Sequence, residues 1–538
     1  MATYPIYPFH SLAHFLLSGL DDTNIHHPLY VDSLTGATIT AGHFKKLVNG
    51  LNSGLQKMGF RKGDCLSVFS SNNIYTNAIY TGTLAACGVV SPINVTYTGQ
   101  ELEYQLSISK PKILIAHPDQ LDLALEYATK LGIQHVYSIE HDPRHRVPFW
   151  VNALVIHNSD TPMISIPEEA LRHTPAFALF SSGTTGRSKC VHVSHYQYIS
   201  NMIEAKKARE DPNQPNALVG VIGLGVMPMY HAAGLFRSLQ LPLLILGTLV
   251  VVKKYSVENV CQAVETYKIN HFAAVPPMLL HMLNSPITEK YDLSSITSFT
   301  VGAAPISGKI VEGIVAKYKA PVVQGYGLTE CGPIITQFPF NSLDKPSSIG
   351  VPIPYTHVRI VDENGKDLGV GQCGELIVKG PQLMMGYYGN PTATKETIDE
   401  DGYLHTGDIA LYDEDGYYYI VDRIKELIKY KGLQVAPVEL ESVLSDCPFV
   451  LDSGVIGIYN EQQATELPMA FIVPRVPKDD LLGKKIMDWV SDRVAPHKRL
   501  RGGVLFVDEI PRSAAGKIQR KQLKTLYQQM MPLTQAKL

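Results

Sequence analysis

The apolar positions of the chain follow two spacings, one typical of helices and one typical of strands. After Thr40, apolar residues recur every three or four positions: Phe44, Leu47, Val48, Leu51, Leu55 and Met58. This spacing predicts an amphipathic helix capped by Thr40. The run 65–69 predicts a strand, and residues 73–87 predict a further helix.

The same alternation recurs in the middle of the chain. Residues 298–301 predict a strand that ends in a Gly-Ala-Ala-Pro turn, and residues 321–324 predict the next strand. Between them lies one helical face: Ile310, Val311, Ile314, Val315 and Tyr318. Because strands feed helices in this way, we expect a largely parallel sheet with ligands at the carboxyl ends of its strands.

The pattern changes near residue 355 and again near residue 425. Short strands separated by turns predict a β-rich lobe, at 358–361, 375–379 and 417–421. Beyond Lys425 the alternation resumes on a smaller scale, with helices expected near 438–445 and 481–494 and strands near 455–458 and 468–473.

These elements predict an α/β protein of two domains. Residues 1–424 would form a large, multi-lobed N-terminal domain, with two α/β sheet subdomains and the β-rich lobe. Residues 425–538 would form a small, mobile α+β C-terminal domain. A chain of 538 residues is too long for one hydrophobic core, which agrees with this division.

Composition excludes several classes of function. A content of 45% apolar and 18% charged residues is that of an ordinary soluble enzyme, and a net charge of −3 gives no surface for nucleic acid or anionic lipid. The longest apolar run, 239–252, is broken by Gln240, Pro242 and Gly247, so it predicts buried core and no transmembrane segment. The first ten residues lack the pattern of a secretory signal.

Cysteine usage and the C-terminus bear on the compartment. The seven cysteines are scattered, odd in number and free of C-x-x-C spacing, which favours reduced thiols and gives no support to a zinc site. The last residues, Ala536, Lys537 and Leu538, resemble the C-terminal peroxisomal address Ser-Lys-Leu. We therefore expect a peroxisomal import receptor as a partner, with a cytoplasmic location as the alternative.

Residues 181–189 concentrate five hydroxyls, two glycines and Lys189. Glycines let successive N–H groups turn inward to form an anion-binding concavity, which predicts a polyphosphate clamp. The flanks 177–180 and 190–193 both predict strands, so the loop closes a hairpin. That context, and the absence of G-x-x-x-x-G-K-[ST], excludes a P-loop NTPase. A flexible surface hairpin is the alternative that the loop alone leaves open.

Three further segments carry chemistry that suits the same ligand. In 324–330, Tyr326 offers a flat face to a base, and Glu330 could hold a hard cation. In 403–408, Asp408 could accept hydrogen bonds from ribose hydroxyls. In 511–520, Lys517 stands on a loop of small residues and could reach an anion between domains. Taken singly, each could equally be a plain turn or a solvated lysine.

Together these segments resemble the adenylate-forming superfamily of acyl- and aryl-CoA ligases, luciferases and adenylation domains. The resemblance covers nearly the whole chain, and residues 302–305, 324–333 and 421–432 are most similar to the 4-coumarate–CoA-ligase-like branch. It implies that a carboxylic acid and ATP give an acyl adenylate and pyrophosphate, and that CoA then gives the thioester and AMP. It implies ATP, Mg²⁺ and coenzyme A as ligands.

The resemblance implies roles for residues around the nucleotide. The β- and γ-phosphates would be wrapped by Ser181, Ser182, Gly183, Thr184, Thr185 and Lys189. The adenine site would be lined by Ala303, Gln324, Gly325 and Tyr326. Thr329 would contact the α-phosphate, Glu330 would hold Mg²⁺, and Asp408 and Arg423 would hold the ribose.

Other implied roles concern the acid, the thiol and the domain movement. Lys517 would bridge the attacking carboxylate and the α-phosphate, and Lys425 would be the hinge. The adenylate would be contacted by Lys429 and Gln434, and CoA by Lys254, Lys431 and Gly432. His231 would line the acyl pocket and thiol tunnel, with a satisfied core histidine as the alternative.

The sequence departs from the family pattern at a few positions. Cys190 replaces the usual glycine after the loop lysine, so the local backbone could differ. Ala232 and Ala233 follow His231 where plant coumarate ligases have a larger aromatic residue, and Thr300 and Val301 stand in place of Lys-Ser. These changes disfavour a hydroxycinnamate and favour a roomier, more apolar pocket, for a medium-chain fatty acid or an arylacetic acid.

Three rival functions share the adenylation motifs or part of them. A luciferase-like oxygenase would follow adenylation with oxidation by O₂. An adenylation enzyme that loads a carrier protein is a second rival, although no carrier domain is fused here and Lys254 and Lys431 favour CoA. A nucleotide-binding module without turnover is the third, and the presence of Lys517, Glu330 and Asp408 argues against it.

Overall fold

The structure is a computed structural model, which describes residues 5–181, 188–208, 220–304, 306–339, 345, 347–431, 433–463, 465–514 and 516–535. Within these residues it is a mixed α/β protein, as expected. Several sheets form a large N-terminal domain, and a smaller C-terminal domain follows. The division at residues 424 and 425 stays a prediction.

The largest sheet has a parallel centre and antiparallel edges. From edge to edge its strands are Val351–Pro352, Thr336–Gln337, Val322–Tyr326, Ser298–Val301, His271–Ala274, Ile222–Gly225, Thr248–Val251, Pro28–Asp32 and Thr38–Thr40. Strands 298–301 and 322–326 are direct neighbours and run parallel to each other, which confirms the expected arrangement.

A second sheet carries the hairpin that was expected to flank the phosphate loop. Its strands, in order, are Gly386–Tyr387, Lys189–Ser194, Pro175–Ser181, Val89–Pro92, Cys65–Phe69, Ile113–Ala116 and His135–Ser138. Strand Pro175–Ser181 runs antiparallel to Lys189–Ser194 and parallel to Val89–Pro92. The strands of the hairpin are therefore held on one side by a parallel sheet.

The β-rich lobe is a small antiparallel sheet of His357–Val361, Gly374–Lys379, Leu404–Tyr412 and Tyr418–Arg423. After it comes the hairpin Ile428–Tyr430 and Leu433–Val435, and then the sheet Val450–Asn460, Thr465–Pro474 and Gly503–Phe506. Strand Leu404–Tyr412 was not predicted, because Gly407 and Asp408 interrupt its alternation of apolar residues.

Helices cover the faces of these sheets. The α-helices are Leu12–Leu17, Ala41–Lys57, Thr76–Ala85, Gly99–Ser109, Leu121–Leu131, Trp150–Leu154, Glu168–Leu171, His195–Lys207, Leu241–Leu244, Val257–Tyr267, Pro276–Asn284, Gly308–Tyr318, Pro391–Thr397, Pro437–Ser445, Leu482–Ser491 and Arg520–Gln535. Short 3₁₀ turns occupy Pro118–Gln120, Pro286–Lys290, Thr329–Cys331, Glu461–Gln463 and Pro496–Lys498, and Gly234–Gln240 is a π-helix.

Local chemistry explains where several helices begin. Helix Ala41–Lys57 starts at Thr40, whose side chain accepts a hydrogen bond from the His43 N–H, as the sequence predicts. The helix expected over 73–87 is shorter, Thr76–Ala85, because Asn73 Oδ1 accepts from the Tyr75 N–H and forms a turn before it.

The helical face predicted at 310–318 is only partly buried. In helix Gly308–Tyr318, Val311 and Ile314 are buried, but 40% of Val315 is exposed. The apolar run 239–252 is core: Leu239, Leu243 and Leu249 belong to the main cluster of buried residues. In the described part of the chain, no helix is long and apolar enough to cross a bilayer.

Candidate active site

A cavity of about 660 Å³ opens where the parallel strands of the largest sheet end. Residues at or just beyond the carboxyl ends of strands His271–Ala274, Ser298–Val301 and Val322–Tyr326 line it. This is the position at which ligands bind in open α/β sheets. A cavity therefore lies where the sequence predicts a ligand site, and the binding of ligands there stays a prediction.

The phosphate-loop hairpin forms one wall of this cavity. Ser181 and Lys189 are direct partners in the antiparallel register, and both line the cavity. Ser182, Gly183, Thr184 and Thr185 lie outside the described residues. Lys189 holds its ammonium 4.5 Å from the ring centroid of Tyr387, a cation–π contact. Cys190 continues the strand and is buried, so it does not break the hairpin.

Tyr387 connects Lys189 to Glu330. Its hydroxyl donates to Glu330 Oε1 over 3.1 Å, while its ring faces Lys189. Glu330 stands in the 3₁₀ turn Thr329–Cys331, and both Thr329 and Glu330 line the cavity. The main chain of Glu330 is fixed as well, because its carbonyl accepts from the Met384 N–H over 2.8 Å.

The donor set at Glu330 suits a magnesium ion that is bound mainly through phosphate. The described residues hold no group of three or more His, Cys, Asp or Glu side chains able to bind a metal by themselves. Mg²⁺ usually takes one or two protein carboxylates and completes its octahedron with water and substrate phosphates. The single carboxylate of Glu330 beside the phosphate-loop wall fits that pattern.

Asp408 is a buried carboxylate that accepts hydrogen bonds from two side chains, one of which, Tyr326, belongs to the predicted base site. Asp408 is 3% exposed, and it accepts from the Tyr326 hydroxyl over 2.5 Å and from Arg423 Nε over 3.0 Å. Burial raises the pKa of Asp408, and the Arg423 guanidinium opposes that rise. Residues that were predicted separately from three segments are therefore one hydrogen-bonded group.

Two other predicted base-site residues adjoin this group. Gln324 is buried in strand Val322–Tyr326. Ala303 lines the cavity with φ of +69°, in the left-handed region that costs an alanine free energy. Strain of this kind is concentrated at functional sites, where the surrounding structure imposes it.

Lys517 reaches the cavity from the C-terminal domain. Its loop is closed by the Arg512–Ile518 bridge, and the Lys517 N–H donates to Ser513 Oγ over 3.2 Å. Burial and the Arg423 charge lower the pKa of Lys517, while Asp408 and Glu330 oppose that shift. The ammonium therefore lies within electrostatic reach of groups from the N-terminal domain, as the sequence predicts for a lysine that acts between domains.

His231 lines the side of the cavity where Ala232 and Ala233 leave space. Its Nδ1 accepts from the Ala233 N–H over 3.4 Å. Burial, with Lys517 as a second cause, lowers the pKa of His231 to about 4. The ring is therefore neutral at physiological pH. Its position in the cavity favours a role there over that of a core histidine.

The remaining predicted residues lie around or beyond the cavity. Lys425 lines its rim. Lys429, Lys431 and Gln434 are exposed on the hairpin that follows the β-rich lobe, and Lys254 is exposed at the end of a strand of the largest sheet. None of these last four side chains is among the described lining residues, and their roles stay predictions. Gly432 and the tail residues Ala536, Lys537 and Leu538 fall outside the described ranges.

The sequence did not single out several residues that line the cavity. Two of these residues are Tyr387 and Glu375. Glu375 Oε2 lies 2.8 Å from His405 Nδ1. Arg237 is the third, and the expectation of a roomier, more apolar acyl pocket stays a prediction. A signal for Arg237 was present, since it is a lone charged residue inside the apolar stretch that follows His231.

The chain is similar to known proteins in sequence and in structure. Residues 22–388 match the family described as AMP-binding enzyme, and residues 439–517 match the AMP-binding enzyme C-terminal domain. A probable 4-coumarate–CoA ligase 1 of Dictyostelium discoideum is 35% identical over 519 residues, with 92% of each chain covered. A luciferin 4-monooxygenase of Luciola mingrelica is 34% identical over 512 residues, covering 92% of this chain and 91% of the relative.

Solved structures share the fold over almost the full length. ATP-bound MatB from Rhodopseudomonas palustris superposes with a TM-score of 0.85 at 27% identity, covering 96% of this chain and 99% of that chain. The anthranilate CoA ligase AuaEII in complex with anthranoyl-AMP gives a TM-score of 0.88 at 21% identity, covering 98% and 99%. The second likeness bears on the fold alone.

Proposed function

The chain belongs to the AMP-binding enzymes, an adenylate-forming family, and we propose that it is an acid–thiol ligase that uses ATP to join a carboxylic acid to coenzyme A. The curated relatives that are named 4-coumarate–CoA ligases support this reaction type.

One observation carries the proposal. A lysine from the C-terminal domain, Lys517, shares a cavity with Lys189, Glu330 and Arg423 of the N-terminal domain. The described lining holds five lysine and arginine side chains and four glutamates. Lys189, Arg423 and Lys517 are the cations that would serve two anions that must approach each other, a carboxylate and a triphosphate. Each anion would be repelled by the other in water, and fixed positive charge removes that barrier.

In the first half-reaction, a carboxylate oxygen of the acid attacks the α-phosphorus of ATP. A new P–O bond forms, the bond to the β-phosphate oxygen breaks, and pyrophosphate leaves with the electron pair. Lys517 would neutralise the carboxylate and the α-phosphate, and Lys189 would neutralise the leaving pyrophosphate. Asp408, held by Tyr326 and Arg423, retains acceptor capacity for the ribose hydroxyls.

Glu330 would hold Mg²⁺, which when bound to phosphate oxygens spreads their negative charge. The hydroxyl of Tyr387 fixes one carboxylate oxygen of Glu330 and leaves the other available. The magnesium requirement is therefore part of the proposal, and chelation should abolish pyrophosphate release without unfolding the protein.

In the second half-reaction, the sulfur of coenzyme A attacks the acyl carbon, and AMP leaves. The thiol would need access to a carbonyl that the Lys517 loop, on the cavity wall, would cover. We therefore propose that the C-terminal domain turns about Lys425 between the two steps and exchanges the Lys517 loop for the exposed hairpin of Lys429, Lys431 and Gln434. Lys254, exposed on the N-terminal domain, would contact CoA.

The test is acid-dependent pyrophosphate release over a panel of carboxylic acids, followed by measurement of AMP with and without coenzyme A. We expect release that requires both an acid and magnesium, and AMP formation that CoA accelerates. Absence of pyrophosphate release and of ATP–pyrophosphate exchange with every acid would refute the proposal.

A luciferase-like oxygenase is the second candidate, because curated relatives named luciferin 4-monooxygenase are 34% identical to this chain. Such an enzyme would consume O₂ after adenylation and emit light with a luciferin. O₂ consumption without a CoA requirement would favour it. AMP release that requires CoA under anaerobic conditions would favour the ligase.

We further propose that the C-terminal residues Ala536, Lys537 and Leu538 direct the protein to peroxisomes. A fluorescent protein fused upstream of the whole chain should accumulate in peroxisomes, and removal of Leu538 should leave it in the cytoplasm. An unchanged distribution after that removal would contradict the proposal.

A further inference from the structure

The strand that carries Asp408 bulges at that residue. It pairs antiparallel with a neighbouring strand of the β-rich lobe, and the register shifts beside Glu375. As a result, residues 406–408 stand opposite the single residue Leu376. Bulges are common next to active sites, where they re-aim a side chain. This bulge lies on the cavity wall, because its first two residues line the cavity.

Glu375 closes the bulge with both of its carboxylate oxygens. Its Oε1 accepts from the Gly407 N–H over 3.0 Å, and its Oε2 lies 2.8 Å from His405 Nδ1. Gly407 has φ of +70°, in the left-handed region that glycine adopts at little cost. A bulge leaves main-chain groups without their partners in the ladder. Glu375 supplies such a partner from the neighbouring strand.

Thr406 and Asp399 secure the two ends of the same bulge. The Thr406 hydroxyl donates to the Leu376 carbonyl over 2.6 Å and accepts from the Asp408 N–H over 3.1 Å. Asp399 Oδ2 lies 3.6 Å from His405 Nε2, on the side of the ring away from Nδ1. Side chains therefore take the place of regular strand pairing at this point.

The bulge decides where the Asp408 carboxylate stands. Asp408 is the last bulged residue, and its carboxylate accepts from Tyr326 and Arg423. The next residue, Ile409, is back in register opposite Glu375. Because a slip of one residue along a strand turns each side chain to the opposite face, a relaxed bulge would turn Asp408 away from Tyr326.

We propose that Glu375 is a positioning residue for recognition of the ribose of ATP, because it holds the bulge that places Asp408 at the ribose hydroxyls. This inference rests on the proposed ligase function, in which Asp408 binds the ribose, and it adds a residue to that site. Glu375 acts through the main chain of Gly407, and thereby through Asp408.

The experiment compares ATP with 2′-deoxy-ATP and 3′-deoxy-ATP in acid-dependent pyrophosphate release. We expect wild type to prefer ATP over at least one of them by about 10- to 100-fold in kcat/KM, the range of a charged hydrogen bond. Glu375→Ala removes both contacts and should largely abolish that preference, with a higher KM for ATP and an unchanged KM for the acid. Glu375→Gln keeps an oxygen for the Gly407 N–H and an amide that can donate to His405 Nδ1, so it should retain most of the preference.

Asp362→Ala is the matched control in the same lobe. The Asp362 carboxylate also accepts from main-chain N–H groups, those of Asn364 and Lys366, over 2.8 and 3.0 Å. It is not among the described residues that line the cavity, so this variant should keep the wild-type preference. The rise in Tm caused by each nucleotide in the absence of an acid tests the same preference without turnover.

The outcomes separate the role of Glu375 from the ligase function. An equal loss with ATP and with both deoxynucleotides in Glu375→Ala would indicate a general structural effect and would overturn the proposal. An unchanged preference in that variant, or a wild type that does not distinguish ATP from either deoxynucleotide, would also overturn it. In each case, pyrophosphate release by the wild type would leave the ligase function intact. If no acid supported release, a nucleotide preference in Tm that Glu375→Ala abolishes would still support the role of Glu375.

Discussion

The Tyr326 hydroxyl donates a hydrogen bond to Asp408 Oδ2 over 2.5 Å and thereby joins the largest sheet to the β-rich lobe. Arg423 Nε binds the other carboxylate oxygen over 3.0 Å from the strand beside Asp408. Burial raises the pKa of the Asp408 carboxyl, and both contacts favour its ionised form and orient it. The base site and the ribose site are thus parts of one network.

Tyr326→Phe should lower kcat/KM for ATP by about 10-fold or more, because a hydrogen bond to a buried carboxylate is lost while the ring remains. Steady-state kinetics with varied ATP measures this. Tyr419→Phe is the matched control, since that hydroxyl donates to Asp413 Oδ2 over 2.9 Å away from the cavity. Equal losses in the two variants would mean that the Tyr326 hydroxyl has no special part in binding ATP.

Lys517→Ala should reduce adenylate formation by about 10²- to 10³-fold, the usual effect of removing one preorganised charge from a transition state. The same variant should still convert preformed acyl adenylate and CoA into thioester, because the thiol step uses the other domain arrangement. Pyrophosphate release and thioester formation are assayed separately. Lys521→Ala, an exposed lysine on the following helix, serves as the control. If both half-reactions failed equally, the assignment of Lys517 to adenylate formation alone would be wrong.

Lys425→Pro should have the opposite effect and slow thioester formation more than pyrophosphate release. Proline fixes φ at residue 425 and restricts residue 424, so the backbone there could not change conformation between the two steps. The main-chain hydrogen bonds from Glu426 and Leu427 to the Arg423 carbonyl mark this segment as a compact turn. Lys425→Ala removes the side chain alone and should retain both activities. Normal thioester formation in Lys425→Pro would exclude a hinge at this residue.

Part of this site could be predicted because its strands show in the local pattern of residues. The strands that flank the phosphate loop pair as expected, with Ser181 opposite Lys189, whereas the strand of Tyr326 runs two residues beyond its predicted end at residue 324. The contact of Tyr387 with Lys189 could not be predicted, since it depends on the pairing of a two-residue strand far along the chain. Arg237 was missed for a similar reason, because the π-helical turn decides which way its side chain points.

The buried carboxyl of Glu204 should make stability fall as pH rises from about 4.5 to 8. Its side chain is fully buried, Tyr7 donates to Oε1 over 3.4 Å, and Oε2 has no hydrogen-bond partner among the described residues. Burial raises the pKa of Glu204 to about 8. The folded state thus keeps a proton that the unfolded state releases above its own lower pKa, so raising the pH favours unfolding.

Glu204→Gln should remove that dependence, which for one group is about 1.4 kcal/mol per pH unit within the window. Melting temperatures at pH 6 and pH 8 measure it, and the wild type should lose more between the two than the variant. Glu169→Gln, at an exposed site, should behave like wild type. An identical fall in wild type and Glu204→Gln would show that the carboxyl is ionised throughout.

Gly516→Ala should impair adenylate formation and spare the thioester step, because Gly516 docks the Lys517 loop on the N-terminal domain. Its φ is +79°, and a Cβ there would lie 3.1 Å from Val275 and 3.2 Å from Pro277. Gly503→Ala is the control, since Gly503 has φ of +87° with open space around it, so alanine there adds backbone strain alone. Both variants should lose about 1 kcal/mol of stability from that strain. Only Gly516→Ala should lose pyrophosphate release in the same assays, and equal activity of the two variants would show that this contact does not position Lys517.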